Sequence, residues 1–570
     1  MKITPATEKI YRYPLAYNPI LEYWERIRTG KEVVSDKIYR TYKKLNYDIN
    51  NPREYFYSSK RGNHIIEFAE NFCRHSKGKF GGQRVKLELW EKAHLATVFG
   101  FVDINGLRKY REVVLIVGKK NGKSLLGSIV GLYMLIGDGE AGPEVYAVAT
   151  KKDQAKIIWL ESKRMVNHSP SLLRRIKPLT AELSSEYYNC GTFKPVASDS
   201  DTLDGLNVHC VLMDEIHQWK NGKALYDIMA DGTAGREQPL VYITSTAGVI
   251  REDIYDQKYD EAERVINGYF DDNGYKDDRF IAFIYELDKR EEWHDEKCWK
   301  KANPGLGTIK NYETLKAKVE KAEKNPLLVK NLVCKEFNIR ETSSEAWLTF
   351  EQLNNTAKFS ISELKPRYGI GGADLSSTTD LTNATVIFQV PDNENIYVLQ
   401  MYWLPEEQFE QRVKEDKIPY DIWREQGYLR TVPGNKVHYK FVTDWFLEVQ
   451  KDLDIFIPWV GYDSWSATYW VEDMKNTFGP ESMEAVIQGK KTLSSPMKSL
   501  GADLSAKKII YNNNPILKCC LANTSVDIDR NDNIQPIKGA NQRRRIDGLA
   551  GLLNAYVVRE RHFDEYMSMT

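Results

Sequence analysis

Residues 111–137 read REVVLIVGKKNGKSLLGSIVGLYMLIG, and this stretch indicates the fold of the first half of the chain. Val113–Val117 is a β-branched run, typical of a strand that is buried on both faces. The turn Gly118–Ser124 follows this strand, and the apolar residues after Ser124 recur at helical spacing. In such a strand–turn–helix, the backbone N–H groups at the start of the helix can bind an anion.

The turn is similar to a phosphate-binding P-loop, G-x-x-x-x-G-K-[ST], except at its first position. Val117 stands where the first glycine belongs, so an ordinary Gly-Lys-Ser turn is the alternative. As a P-loop, the turn would direct Lys123 to the β- and γ-phosphates and Ser124 to Mg²⁺. The nucleotide-binding residues that this predicts are Gly118, Lys119, Lys120, Asn121, Gly122, Lys123 and Ser124.

The composition describes an ordinary globular protein of two or three domains, with 570 residues of which 42% are hydrophobic. Lys and Arg total 80, as do Asp and Glu, so the formal net charge is zero. Contact with nucleic acid must therefore come from local basic patches and not from a general positive charge.

The cysteines form neither a CxxC pair nor a zinc-spaced cluster with histidine, so we expect reduced thiols. They are Cys73, Cys190, Cys210, Cys298, Cys334, Cys519 and Cys520. The first residues lack an apolar signal segment, and the longest apolar run, behind Ser124, is too short to span a bilayer. These features predict a soluble intracellular protein that does not associate with a membrane.

Strand-like and helical segments alternate after the P-loop, which indicates a parallel α/β sheet. The segments are the strands 145–150, 208–213 and 240–246 and the helix 153–166. We predict a helical arm over 1–65, an ATPase core over 66–250 and a charged, helical lid or connector over 251–345.

A polar linker over 346–365 leads into a second α/β block over 366–570. Its predicted strands are 370–374, 384–390, 396–402 and 459–463, with a hairpin turn at 391–395 and a closing helix at 541–559.

The strand Val208–Met213 ends in Asp214 and Glu215. ATP hydrolysis needs one carboxylate to hold Mg²⁺ through its water shell and another to orient and deprotonate the attacking water. We assign Asp214 to the metal and Glu215 to the water, with a strand-terminal acidic turn as the alternative.

Three further features could complete an ATPase site. The hydroxyls of Thr244-Ser245-Thr246 end the next strand and could sense the γ-phosphate. Lys119 could stabilise the transferring phosphoryl group. Arg236 is a candidate charge stabiliser in cis or in trans, although a surface arginine is the simpler interpretation.

The second block carries three aspartates in suggestive contexts. Asp374 and Asp463 each end a predicted strand, and Asp547 lies on the closing helix. Three such carboxylates could bind two Mg²⁺ or Mn²⁺ ions about 4 Å apart and cut a phosphodiester. A turn or cap role is the alternative for each one alone.

Asp380 is a possible accessory ligand, or simply a hairpin residue. Lys538 with Arg543, Arg544 and Arg545 forms a basic patch beside Asp547 that could position DNA phosphates, or could be a solvated helix start.

Taken together, the chain resembles the large terminase subunit of tailed bacteriophages, in its HK97-like branch, from about Lys86 to Arg559. The resemblance is carried, in order, by GKKNGKS, VLMDEIHQW, TSTAG, GADLSSTTDLT, GYDSW and RRIDGLAGLLNA. It implies a P-loop (ASCE-type) ATPase followed by an RNase H-like nuclease.

The resemblance also implies a motor in the host cytoplasm that pumps double-stranded DNA into procapsids and cuts concatemers. ATP with Mg and two Mg or Mn ions would be its cofactors. Its partners would be DNA, the portal protein, the small terminase subunit and an HNH nuclease, with a ring oligomer on the portal and a monomer in isolation. Two residues depart from the family pattern: Lys119 replaces an arginine, and Glu91 stands where the family often has a glutamine for adenine.

Two other functions would also explain parts of the sequence. A helicase-nuclease would need a second RecA-like domain, which is not recognisable after Gly248. A non-enzymatic DNA-binding scaffold would not need Lys123, Ser124, Asp214 and Glu215.

Overall fold

The structure is a computed structural model. It describes residues 10–198, 203, 205–220, 222–248, 253–325, 328–341, 346–376, 381–416, 418–463, 468–529, 531–538 and 545–569. The described residues up to Arg340 form one compact unit, and those from Glu341 onward form another. Within these ranges, no helix has the length and apolar character needed to cross a membrane.

The first unit is built around a twisted sheet with helices on both faces. The strands of this unit are β1 (Phe56–Tyr57), β2 (Phe101–Val102), β3 (Glu112–Ile116), β4 (Glu144–Ala149), β5 (Lys177–Pro178), β6 (Leu183–Ser185), β7 (Gly191–Ala197), β8 (Cys210–Asp214), β9 (Leu240–Ser245) and β10 (Phe280–Ile284). Strands β1 and β2 pair with each other in a separate two-stranded sheet. Its helices are α1 (Pro19–Arg28), α2 (Asp36–Asn50), α3 (Ser59–Phe72), α4 (Leu89–Gly100), α5 (Lys123–Ile136), α6 (Lys152–His168), α7 (Pro170–Leu173), α8 (Gly222–Asp231), α9 (Ile254–Gly268), α10 (Tyr312–Glu323) and α11 (Val329–Phe337).

The main sheet has the order β10-β3-β9-β8-β4-β7-β6-β5, and the strands from β10 to β7 are parallel. Along β3, Val113 and Leu115 face one hydrophobic core, and Val114 and Ile116 face the other. This confirms the prediction of a strand buried on both faces. Strand β9 lies between the P-loop strand β3 and the carboxylate strand β8, which is the additional strand of an ASCE ATPase.

Two segments outside the predicted core pack onto it. Strand β10, from the segment predicted as a lid, pairs in parallel with β3 at the edge of the sheet, and α2 packs on β10. Residues 287–337 form a small helical layer with its own core, which includes Trp299, Leu315 and Phe337. The domain divisions at 65, 250, 345 and 365 remain predictions.

The second unit has a sheet of order β14-β13-β12-β11-β15-β16, with β17 beside β13 and a separate hairpin of β18 and β19. Its strands are β11 (Ile370–Asp374), β12 (Thr382–Phe388), β13 (Ile396–Pro405), β14 (Leu429–Val432), β15 (Val460–Asp463), β16 (Met483–Val486), β17 (Ile509–Ile510), β18 (Ser525–Ile528) and β19 (Ile534–Ile537). Its helices are α12 (Phe350–Leu353), α13 (Ile361–Leu364), α14 (Glu406–Asp416), α15 (Tyr420–Glu425), α16 (Lys440–Asp452), α17 (Thr468–Phe478), α18 (Lys490–Ser505), α19 (Pro515–Asn523), α20 (Asp547–Arg561) and α21 (Phe563–Met569).

Strands β11, β12 and β13 form an antiparallel meander, and β15 and β16 continue the sheet in parallel from β11. The three consecutive strands and their hairpin therefore confirm the sequence prediction. This order and polarity are those of an RNase H-like sheet. Helix α20 packs across β11, β12 and β15.

Candidate functional site

The P-loop joins β3 to α5 at the carboxyl edge of the first sheet. Gly122 has φ +87°, a left-handed conformation that favours glycine, and α5 begins at the next residue, Lys123. Lys120 is also left-handed, with φ 67°. The N–H groups in the first turn of α5 lack partners within the helix, so this end of the helix can bind an anion.

Lys123 is buried at the centre of this edge. Its ammonium group donates to the carbonyl of Val117 at 3.2 Å and lies 3.5 Å from Oε1 of Glu215. Burial lowers the pKa of Lys123, although the carboxylates of Glu215 and Asp214 oppose that effect. The P-loop and the carboxylate strand thus meet at one place.

Asp214 and Glu215 occupy different environments although they are neighbours. Asp214 accepts from the Thr244 hydroxyl at 2.7 Å, while Glu215, left-handed at φ 50°, lies 3.0 Å from Nδ1 of His217. Burial, with the charge of Glu215, raises the pKa of Asp214. Burial also acts to raise the pKa of Glu215, but His217 and Lys123 outweigh it and lower that pKa. Glu215 is consequently ionised at neutral pH.

The hydroxyls at the end of β9 contact these acidic residues. Besides Thr244, the Thr246 hydroxyl donates to Glu215 at 3.4 Å, and the Ser245 hydroxyl lies 3.1 Å from Nδ1 of His217. His217 was not singled out from the sequence. The motif around Asp214 contains it three residues downstream, but only the fold shows that its ring turns back to Glu215.

The small helical layer holds the start of the P-loop. The N–H of Gly118 donates to the carbonyl of Ala302 at 3.0 Å, and that of Lys119 to the carbonyl of Lys335 at 3.2 Å. A Cβ atom on Gly118 would lie 2.4 Å from Oδ1 of Asn303. This close approach therefore requires glycine at position 118. The requirement comes from a residue distant in sequence, so no local sequence motif could have predicted it.

The two remaining cationic candidates differ in position. Lys119 is close enough to Glu215 that its charge helps to lower the pKa of that carboxyl. Arg236 lies instead before β9, where its guanidinium donates to the carbonyls of Ala141, Gly142 and Asn207. Those residues precede β4 and β8, at the amino edge of the sheet, which is opposite to the edge that carries Lys123. The prediction that Arg236 stabilises charge at the site of its own subunit is therefore wrong.

Glu91 lies behind the P-loop. It is fully buried on α4, and Oε2 accepts from the N–H of Glu88 at 2.8 Å in a capping box. Its Oε1 would be 3.1 Å from a Cβ atom on Gly122. Burial raises the pKa of Glu91 to about 8, so the carboxyl is mostly protonated at neutral pH.

In the second unit, Asp374 and Asp463 end neighbouring parallel strands. The register pairs Ala373 with Tyr462, which places the two aspartates side by side one residue later. Adjacent strands are about 4.8 Å apart. The two side chains project from the face on which α20 packs, because Gly372 and Gly461, two residues earlier, both abut that helix.

Asp547 is the first residue of α20 and is buried. The next residue, Gly548, lies over Tyr402 of β13, and Tyr402 pairs with Asn383, the cross-strand partner of Asp374. Asp547 therefore starts on the same face, over a strand two away from β11. Among the described side chains, no group of three or more His, Cys, Asp and Glu is spaced to hold a metal ion.

Two of the four residues of the predicted basic patch, Lys538 and Arg545, are described by the structure. Arg545 is buried, donating to the Tyr420 hydroxyl at 3.0 Å and pairing with Asp416, so its predicted role in holding DNA phosphates is wrong. Arg543, Arg544 and Asp380 lie outside the described residues. Lys538 is half-buried.

Known proteins are similar to this chain in both halves. The family model "Terminase large subunit, ATPase domain" matches residues 89–264, and "Terminase large subunit, endonuclease domain" matches residues 274–562. The large terminase subunit of Enterobacteria phage HK97 is 25% identical over 86% of this chain and 94% of its own length. That of Lactococcus phage p2 is 22% identical over 90% and 93%. The crystal structure of the HK97 bacteriophage large terminase covers 87% of this chain and 99% of that one, at 24% identity and a TM-score of 0.46.

The endonuclease-domain match alone spans just over half of the chain, and the ATPase-domain match precedes it. The two domains imply the use of a nucleotide and of a divalent metal ion. This chain belongs to the family of terminase large subunits, and it is an ATPase and DNA endonuclease that packages viral DNA and cuts concatemeric DNA.

Proposed function

We propose that ATP with Mg²⁺ binds at the carboxyl edge of the first sheet, on the loop from Gly118 to Ser124. Lys123 binds the β- and γ-phosphates, and Glu215 orients and deprotonates the attacking water. Lys119 stabilises charge on the transferring phosphoryl group. When bound, Mg²⁺ supplies charge neutralisation at the phosphates, with Ser124 and Asp214 as the residues that hold it.

One observation carries this proposal: the ammonium of Lys123, from the P-loop, lies 3.5 Å from the carboxylate of Glu215, the residue after β8. The left-handed Gly122 and the helix start at Lys123 fit a phosphate cradle. The lowered pKa of Glu215 keeps this carboxylate ionised at neutral pH, so that it can accept a hydrogen bond from the attacking water and orient it.

The test is DNA-stimulated ATPase activity of the full chain. We expect Lys123→Ala to abolish hydrolysis and to leave metal-dependent plasmid cutting intact. Lys177→Ala is the control, because that exposed lysine pairs only with Glu186 at the far edge of the sheet among its described contacts. Wild-type ATPase activity in Lys123→Ala would exclude this nucleotide site.

We propose that the nuclease site is centred on Asp374 and Asp463 and uses two Mg²⁺ or Mn²⁺ ions. Their oxygens are the ligands that such ions prefer, and their adjacent strand ends favour a shared site. Asp547 is the third proposed ligand. Its support is that α20 crosses the face from which the other two project, while the spacing of the described residues supplies no three-ligand cluster.

Mn²⁺-dependent cutting of plasmid DNA tests this site. Asp374→Ala and Asp463→Ala should lose cutting and keep ATPase activity, and Asp547→Ala decides separately whether the helix contributes a ligand. Asp529→Ala is a matched control, because that half-buried aspartate accepts from the N–H groups of Asn531 and Asn533 in the turn between β18 and β19. If Asp374→Ala cuts as well as the wild type, the site lies elsewhere.

We further propose, from membership of the family, that the protein acts in the host cytoplasm as a ring on the portal and is a monomer in isolation. Its partners are double-stranded DNA, the small terminase subunit and an HNH nuclease. Arg236 stays a candidate only for a site on a neighbouring subunit. Mass measurement with and without purified portal protein tests the assembly.

A further inference from the structure

Asn303 lies in the small helical layer beside the P-loop and is fully buried. Its Nδ2 donates to the carbonyls of Trp299 at 3.1 Å and Glu336 at 2.9 Å. Its Oδ1 accepts from Nδ2 of Asn121 at 2.9 Å and from Nζ of Lys310 at 2.6 Å. A primary amide offers two N–H donors and an oxygen with two lone pairs, so every hydrogen bond of this side chain is made.

Asn121 receives this contact inside the P-loop and is itself fully buried. Its Nδ2 also donates to the carbonyl of Gly118 at 2.9 Å, and its Oδ1 accepts from the N–H of Gly305 at 3.1 Å. One side chain therefore joins the beginning of the loop to both Asn303 and Gly305. Asn121 is the residue before Gly122, whose left-handed turn starts the phosphate cradle.

The layer that carries Asn303 is well anchored. Lys310 pairs with Glu336 at 2.7 Å, and Lys318 pairs with the same carboxylate. Trp299, Leu315 and Phe337 belong to the hydrophobic core beneath. A buried, fully hydrogen-bonded group on such a base can hold its partner in one conformation.

We propose that Asn303 is a positioning residue for the ATPase reaction, fixing the P-loop through Asn121 before the phosphates bind. Without it the loop must be ordered at the moment of binding, so the affinity for the nucleotide falls while the chemical step is spared. This inference relies on the proposed binding of ATP at the P-loop.

The experiment compares Asn303→Ala with Asn311→Ala in steady-state ATPase assays of the full chain. Asn311 is an exposed asparagine of the same layer, where its side chain caps α10 by accepting from the N–H of Thr314 at 2.8 Å. We expect Asn303→Ala to raise the KM for ATP about tenfold and to leave kcat within about twofold. Asn311→Ala should leave KM unchanged although it removes a helix cap.

An unchanged KM in Asn303→Ala, or an equal rise in Asn311→Ala, would overturn the inference. A kcat within about twofold of wild type reports that the first unit of each variant is folded. Hydrogen exchange of the wild type gives a test that needs no variant: ADP with Mg²⁺ should slow exchange at residues 302–306 and not within α10, and the absence of that difference would also overturn it. If Lys123→Ala keeps ATPase activity, the proposed nucleotide site itself is disproved. If Lys123→Ala is inactive and Asn303→Ala has the wild-type KM for ATP, only the role of Asn303 is disproved.

Discussion

The ammonium of Lys123 lies 3.5 Å from Oε1 of Glu215, although the motif of Lys123 follows β3 and that of Glu215 follows β8, and these two strands are not neighbours. Strand β9 lies between β3 and β8, and its hydroxyls contact both acidic residues of the second motif. The groups proposed to bind the phosphates and to orient the water thus meet across three strand ends.

Replacing Glu215 with Gln should lower kcat for ATP about 100-fold or more, because an amide cannot accept the proton of water. Nucleotide affinity should stay within about threefold, since the phosphate cradle is untouched. Steady-state ATPase rates and the binding of a fluorescent nucleotide measure the two effects. Glu186→Gln, at an exposed glutamate distant from β8, is the control. A kcat of Glu215→Gln above a tenth of the wild-type value would show that Glu215 does not act in ATP hydrolysis.

Gly118→Ala should destabilise the first unit by about 1–3 kcal/mol, because the added methyl group overpacks a close contact. That group would lie 2.4 Å from Oδ1 of Asn303 and 2.7 Å from the carbonyl oxygen of Glu336. Urea unfolding measures the loss. Gly235→Ala is the control, since its methyl group would meet Oδ1 of Asn207 no closer than 3.4 Å. Equal stability of the two variants would contradict the packing described for the P-loop.

Gly372→Ala should abolish DNA cutting while ATPase activity stays within about twofold. A methyl group at 372 would lie 2.2 Å from the carbonyl oxygen of Gly551 and 2.6 Å from the N–H of Ala555, so α20 must move away from β11. Asp374 and Asp547 are carried by these two elements. Cutting and ATPase assays on the same preparation test this, and urea unfolding of the variant shows whether the second unit stays folded. Normal cutting would show that the site tolerates displacement of α20.

Stability of the first unit should fall as the pH rises from about 5 to 8, and Glu91→Gln should remove part of that slope. Burial raises the pKa of Glu91 from 4.5 to about 8. The hydrogen bond from the N–H of Glu88 and the charge of Lys92 oppose this shift, and the charges of Glu88 and Glu70 add to it. The folded state therefore binds this proton more tightly than the unfolded chain does. The stabilisation is complete below the unfolded pKa and is lost as the pH passes through the folded pKa.

The free energy of unfolding should change with pH more steeply in wild type than in Glu91→Gln, by about 1.4 kcal/mol per pH unit at most. Urea unfolding at pH 5, 7 and 9 measures it. Parallel stability profiles for the two proteins would show that Glu91 stays ionised when buried.

Much of the local structure was predictable from the sequence because it depends on patterns within a few residues. The buried run Val113–Val117 predicted β3, and the hairpin signal at 391–395 predicted the turn between β12 and β13. Ordered motifs identified the terminase family, and the family match sets aside the helicase-nuclease and scaffold alternatives. The same patterns placed Asp374 and Asp463 at strand ends.

Which distant groups meet could be learned only from the packing of the folded chain, because such contacts do not affect local sequence periodicity. Strand β10 joins the sheet beside β3, and Arg236 lies at the edge away from Lys123. In the sequence, Gly118 stands one residue after the position of the first glycine of the P-loop motif. Its lack of a side chain is explained by Asn303, a residue far along the chain that lies against it. The neighbours of a residue in the sequence determine its backbone conformation and its partners within a turn or strand. Packing between separate elements determines which distant groups its side chain contacts.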